Sequence, residues 1–232
     1  MGKPAAPARF EGFADTEARF FRALAKHQSR EWFQAHRQEY EDGWVAPMRL
    51  LLAEVREAID PLFARHALGE PKVFRIYRDV RFSKDKSPYK THIGGYVPLA
   101  GVGQGPGQPV PVYVQLGTST FVGAGHYMMD PGQLVRYRAA VLDDRQGRDL
   151  ARIVARVEKA GFRLESFAQL KKVPHGIDPA HPRADLLKRK SLAVAFGALP
   201  KRLVVSRAFV GWLVRQTEKA RPLVEWLADV TG

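Results

Sequence analysis

The sequence predicts an α+β fold, a central antiparallel sheet packed with N-terminal and C-terminal helices. Two observations carry this. Apolar residues recur at helical spacing up to Leu62 and again from Pro131 onward. Between them lie strand-like runs joined by Gly and Pro turns, with no segment long enough for a helix. Consecutive strands without intervening helices pair antiparallel.

The elements follow in order. Residues 1–9, rich in Pro and Ala, read as a flexible tail, and residues 10–232 as a single α+β domain. Asp15 is expected to N-cap a helix reaching about His27, with Phe20, Phe21 and Leu24 on one face. Ser29 caps a second helix carrying Trp32, Phe33, His36 and Tyr40. Pro47 suits the first turn of a third, whose Leu50, Leu51, Val55, Ile59 and Leu62 form a core stripe. Phe74, Ile76, Val80 and Phe82 then alternate as in a strand, with Arg75, Tyr77, Asp79 and Arg81 on the opposite face. Arg78 falls on the apolar face, which implies a bulge or a buried arginine with a partner. Thr91–Val97, Val110–Leu116 and Thr120–Val122 read as further strands. From Pro131 the helical period returns: one helix through Val141, another from Leu150 stopped by Gly161, and a last from Ser206 to Val230, broken near Pro222.

Composition narrows the function classes. Mean hydropathy is −0.28, and no run approaches the roughly 20 apolar residues of a membrane helix. The first residues lack an apolar signal core, so the default expectation is cytoplasmic with no membrane partner. Cysteine is absent, which excludes disulfides and thiolate chemistry. The net charge of +13 is uneven: residues 1–70 hold ten Lys/Arg against eleven Asp/Glu, and residues 71–232 hold 27 against 13. That asymmetry points to an anionic small molecule or nucleic acid as partner.

The densest charge lies between Lys72 and Lys90, with seven Lys/Arg and two Asp. Like charges side by side repel, so something balances them: the aspartates, an anionic ligand, or both. Arginine grips phosphate or carboxylate with two parallel hydrogen bonds. Arg75, Arg78, Arg81, Lys84 and Lys86 are therefore candidate ligand-binding residues, with Asp79 orienting them or accepting a proton and Tyr89 donating one. The alternative is an ion-pair brace without a ligand.

Arg75-x-x-Arg78-Asp79-x-Arg81-Phe82 followed by Asp85-Lys86-x-x-Tyr89 resembles the signature of a bacterial family catalogued as domain of unknown function 2461. Upstream, Arg30-Glu31-Trp32-Phe33, Tyr40 and Pro47 fit its N-terminal pattern. Downstream, Gly123-x-Gly125-x-Tyr127-x-x-Asp130-Pro131 is similar to its glycine-rich turn, and Pro174-x-Gly176-x-Asp178-x-x-His181-Pro182 with Asp185-Leu186-Leu187 and Lys190 to its C-terminal block. The resemblance spans nearly the whole chain and implies no established activity. Lys188 stands where an arginine is expected, and Gly101 to Gly107 form an unusually glycine-rich insert.

Two further constellations bear on function. Gly123 and Gly125, read as a strand-to-helix turn, would expose backbone N–H groups to a phosphate. His175, Asp178 and His181 lie in a Pro/Gly-fixed loop. Their intervals match no standard zinc pattern, so no metal is expected, and His181 is a candidate general base beside Asp79. No Walker loop, nucleophile elbow, HExxH or dinucleotide fingerprint is present, so no cofactor is named. The expectation is an anionic ligand in a basic cleft, with phosphoryl- or acyl-type chemistry as its enzymatic form. A nucleic-acid-binding protein and an assembly protein braced by the Arg/Asp motif are the alternatives. Oligomeric state is not legible.

Overall fold

The computed structural model describes residues 8–15, 17–81, 83–101 and 107–232. Residues 1–7 of the expected tail, Phe82 of the charged motif and residues 102–106 of the glycine-rich insert lie outside the described residues. The architecture is α+β: a six-stranded antiparallel sheet in the order β1-β2-β3-β4-β6-β5, with helices from both ends of the chain.

Helix α1 spans Arg19–Lys26 and buries Phe20, Phe21 and Leu24. Asp15 does cap it, its Oδ2 accepting from the Phe20 N–H at 3.1 Å. The N-cap position itself belongs to Ala18, held at a φ of 51°. Ser29 caps α2 (Arg30–Ala35) through the Trp32 N–H at 3.2 Å. The expected second and third helices are not separate beyond this point. α3 (Arg37–Tyr40) runs through a π turn (Glu41–Val45) into α4 (Ala46–Ile59) and a 3₁₀ turn (Asp60–Phe63). In the π turn the Ala46 N–H reaches the Glu41 carbonyl. The wider turn buries Trp44 and Val45 together, and such turns recur at functional sites.

The segment from Phe74 to Arg81 is not the strand its alternation suggests. β1 is only Lys72–Val73, pairing with β2 (His92–Val97). Beyond it the backbone is irregular, held by the Arg78 N–H on the Pro88 carbonyl (2.8 Å), the Lys90 N–H on the Ile76 carbonyl (2.7 Å) and one bridge between Tyr77 and Tyr89. Pro88 has no N–H to return, so a ladder cannot continue past this point. Ile76 is buried, while Phe74 and Tyr77 are exposed.

β3 (Pro109–Gly117) and β4 (Phe121–His126) complete the hairpins, with a register shift between Val110 and Tyr113. β4 is longer than expected and absorbs Gly123 and Gly125. Asp130 then opens α5 (Pro131–Leu142) with a capping box, its side chain accepting from the Gln133 N–H and Gln133 reaching back. α6 (Asp144–Lys159) ends before Gly161, which adopts a φ of 87°. β5 (Arg163–Glu165), α7 (Ala184–Leu187), β6 (Leu192–Ala195) and α8 (Lys201–Val204) follow.

α9 (Ala208–Thr231) is continuous through Pro222, against expectation. A mid-helix proline costs about 3 kcal/mol. Leu213, Leu223, Val224 and Leu227 are fully buried around it, and each contributes about 1.5–3 kcal/mol, so packing outweighs the break. α9 contacts β3 and β4, while α4 contacts β2. Ile93, Val97, Val112, Val114, Leu116, Val122 and Val194 form the apolar face beneath the helices. A Cβ at Gly95 would lie 2.6 Å from Leu52 Cδ1, so glycine there lets α4 close on the sheet. The alternate residues of the strands point to the opposite face, away from α4 and α9. No described helix is long and apolar enough to cross a membrane.

Candidate functional site

The cations of the central motif are largely engaged with their own loop. Arg81 makes a bidentate pair with Asp79, Nε to Oδ1 at 3.0 Å and Nη2 to Oδ2 at 2.6 Å, and its N–H adds a third bond at 3.2 Å. Those bonds hold the Asp79 carboxyl down at about 2. The Arg81 side chain is 77% exposed, so it is not recessed. Arg78 pairs with Asp85, whose carboxyl is held well below the usual range by Ser87 and then by Arg78. Lys86 Nζ donates to the Val80 carbonyl and Lys90 Nζ to the Arg75 carbonyl, each at 2.9 Å. Lys84 is exposed.

Tyr89 is buried. Its ring stacks on Phe33 at 4.7 Å and lies 5.4 Å from Tyr77, and its N–H donates to Gln28 Oε1 at 3.0 Å. Burial pushes its hydroxyl pKa up. The residue anchors the loop to α2. His181 is held by its own loop: its Nδ1 accepts from the Arg183 N–H at 3.0 Å, and its backbone bonds stay with Asp178 and Ala184. Its loop leads into α7, which docks on α5 through the Tyr137 hydroxyl and the Leu186 carbonyl. Among the described residues His181 and the Arg75–Tyr89 segment share no hydrogen bond.

Gly123 and Gly125 do not form a phosphate-binding turn. They lie inside β4 with β3 on one side and β6 on the other. Their backbone groups belong to a central strand, so they are committed to its ladders rather than presented to an anion. Glycine is required there by close approach: a Cβ at Gly123 would stand 2.2 Å from the Val194 carbonyl oxygen, and Gly125 has a φ of 116°.

Two concavities bear on the site. The first, about 270 Å³, lies between the α3–π–α4 run and residues 73–77. Arg37, Arg49 and Arg75 line it over the rings of Phe33 and Tyr40, with Glu41 as its one acid. All three arginines are exposed, and none has an ion pair or a side-chain hydrogen bond among the described residues. Burial, with the charge of Glu41, pushes the Tyr40 hydroxyl pKa up, and Arg49 acts in the other direction. Among the predicted cations Arg75 lines this cleft. Arg37 and Arg49 were not foreseen, because on a helix they look like ordinary surface cations.

The second, about 500 Å³, is a cup on the uncovered face of the sheet. Register places Gly94 beside Gln115, Tyr96 beside Tyr113, Gly123 beside Tyr113 and Gly125 beside Ala193. Gly123, Gly125 and Ala193 make a flat floor. Aromatic rings surround it in sequence: Tyr96 to Phe74 at 5.3 Å, Phe74 to Tyr113 at 6.3 Å, Tyr113 to Phe121 at 5.9 Å, Phe121 to Phe167 at 5.6 Å and Phe167 to Tyr127 at 4.8 Å. Ser191 Oγ fixes Phe167 by accepting from its N–H at 3.0 Å. Lys90 and His92 occupy one end. Burial lowers the pKa of both, and Lys90 and Arg78 add to the effect on His92. The sequence signal for this cup was the alternation of Tyr113 and Gln115 with the buried valines of β3.

The family model described as conserved hypothetical protein (DUF2461) matches residues 17–226, and the chain belongs to that family. No curated protein and no solved structure matches it.

Proposed function

We propose that this protein binds a small anion, the phosphate or carboxylate group of a metabolite, in the cleft lined by Arg37, Arg49 and Arg75. One observation carries the reading: three arginines with no ion pair among the described residues line one concavity that holds a single acid. Guanidinium forks match phosphate and carboxylate geometry. The π turn supports it, because it sets Tyr40, Glu41 and Val45 against the cleft. The reading retains the anionic ligand suggested by the charge pattern and moves its cations, with Arg75 the residue common to both sets. The Arg78–Asp85 and Arg81–Asp79 pairs fit a brace for the loop that carries Arg75. A nucleic-acid partner draws on the same positive charge, but Lys188, Lys201 and Arg207 are paired with Asp185, Glu17 and Glu54, which shortens any basic stripe. The proposal includes a cytoplasmic setting, where phosphorylated small molecules are retained by their charge.

The test is calorimetric titration with inorganic phosphate, pyrophosphate and a short oligonucleotide, at several salt concentrations. Pyrophosphate is expected to bind with a shallow salt dependence. Arg37→Gln, Arg49→Gln and Arg75→Gln each weaken it by about tenfold, and Arg81→Gln leaves it unchanged. Tight oligonucleotide binding with a steep salt slope, or loss of pyrophosphate binding in Arg81→Gln alone, defeats the reading.

A further inference from the structure

The cup on the open sheet face is a second site, distinct in chemistry from the arginine cleft. We propose that it binds a flat aromatic or heteroaromatic molecule carrying one anionic group.

Shape gives the flatness. The floor is glycine and alanine, so a ligand would meet peptide planes with no side chain between them. Crowding within the sheet makes glycine obligatory at Gly123 and Gly125, and the level floor follows from it. A Cβ at Gly94 would stand 2.9 Å from the Tyr113 hydroxyl and 3.4 Å from the Phe74 ring, so glycine there lets these two wall rings lie close on the sheet. The walls are rings at tilts of 34° to 76° to one another, which present edges and faces alternately to the interior. Aromatic pairs favour such offset and edge-to-face contacts, and a planar ring inserted among them finds both. At about 500 Å³ the volume falls in the range usual for small-molecule sites.

Exposure points to an occupant. Tyr127 is 54% exposed and Phe167 42% exposed, although the two rings lie 4.8 Å apart and join the same wall. A contiguous apolar patch of this kind, lining a concavity with a few polar groups at its edge, is what a binding groove presents to water.

Charge gives the anion. No Asp or Glu lines the cup among the described residues, and Lys90 enters it at one end. The ammonium lies 5.3 Å from the centre of the Phe74 ring and donates once, to the Arg75 carbonyl. An ammonium has three N–H donors, so two remain. Beside it the His92 ring makes no hydrogen bond among the described residues. A neutral imidazole there offers one donor and one acceptor to a polar group on the ligand edge. A hydroxyl-rich sugar fits less well, because Gln115 is already bonded to the Tyr113 hydroxyl (2.8 Å) and to Ser119 (2.9 Å).

The experiment uses 1-anilinonaphthalene-8-sulfonate, an aromatic monoanion whose fluorescence reports an apolar site. It is titrated into the full chain under conditions where near-ultraviolet circular dichroism is native. One molecule is expected to bind per chain. Tyr127 and Phe167 are exposed enough for replacement without unfolding, and the Tyr127→Ala, Phe167→Ala double variant is expected to weaken binding about tenfold or more. Lys90→Met keeps the aliphatic stem and is expected to weaken it by about tenfold. The Arg37→Gln, Arg49→Gln, Arg75→Gln triple variant binds as the wild type does, which separates this site from the anion cleft. In competition, 2-naphthoate displaces the probe well and its neutral analogue 2-naphthalenemethanol poorly. Probe binding unchanged in the double variant overturns the site. Dodecanoate displacing the probe better than 2-naphthoate, or the neutral analogue matching the carboxylate, overturns the ligand class.

Discussion

His126 offers a sharp test of how this core is built. It lies at the end of β4 on the helix-facing side, fully buried, and neither ring nitrogen has a hydrogen-bond partner among the described residues. Desolvation holds its pKa down to about 4, while the nearby Asp130 carboxylate pulls in the opposite direction. Asp130 is itself engaged by the Gln133 N–H. The unfolded chain therefore binds a proton on His126 below about pH 6.5, while the native protein refuses it until about pH 4. Stability contributed by the neutral form is present above pH 6.5 and is lost as pH falls toward 4. Each unit is worth about 1.4 kcal/mol, so wild type loses about 2 kcal/mol from this group by pH 5 and about 3 kcal/mol by pH 4. His126→Leu removes the titration and replaces an unsatisfied polar ring with an apolar side chain of similar size. At pH 7.5 the change is expected to be neutral or stabilising by about 1 kcal/mol. The assay is urea unfolding followed by tryptophan fluorescence, for both proteins, between pH 7.5 and 4.5. His92, also depressed by burial, is common to both and cancels in the difference. The gap between variant and wild type should widen as pH falls through 6.5. A pH-independent difference would refute the reasoning, because it would mean that the ring has water or a partner in solution.

Two further outcomes follow from the packing. Gly123→Ala would place a Cβ 2.2 Å from the Val194 carbonyl oxygen in the middle of the sheet, and is expected to cost about 3 kcal/mol or more, measured by the same unfolding assay. Asp85→Ala, which removes the partner of Arg78 and the acceptor for the Ser87 N–H, should raise the rate of limited proteolysis between Arg78 and Lys86 while moving the thermal midpoint by only a degree or two, because the pair lies at the surface.

Local chemistry determined much of this protein without help. Ser29, Asp130 and Gly161 mark helix ends through groups within a few residues of themselves, and each element they bound is present. The antiparallel sheet was legible because turns and alternation are short-range. Family membership was legible because the motifs are contiguous. What local pattern could not decide is how distant segments meet. Phe74 to Phe82 alternates like a strand, but whether it pairs depends on what Pro88 can donate from across the loop. Pro222 reads as a break, and only the apolar face buried on both sides of it keeps α9 whole. Arg81 reads in the sequence as a ligand-binding cation, yet Asp79, two positions away, occupies its fork in open solvent. The cleft of Arg37, Arg49 and Arg75 and the ring of aromatics over Gly123 exist only once a helix, an edge strand and four strands of a sheet are packed. The side chains of such sites carry no mutual spacing in the chain. Their arrangement is set by burial of the opposite faces of the elements that bear them, which is a property of the whole core.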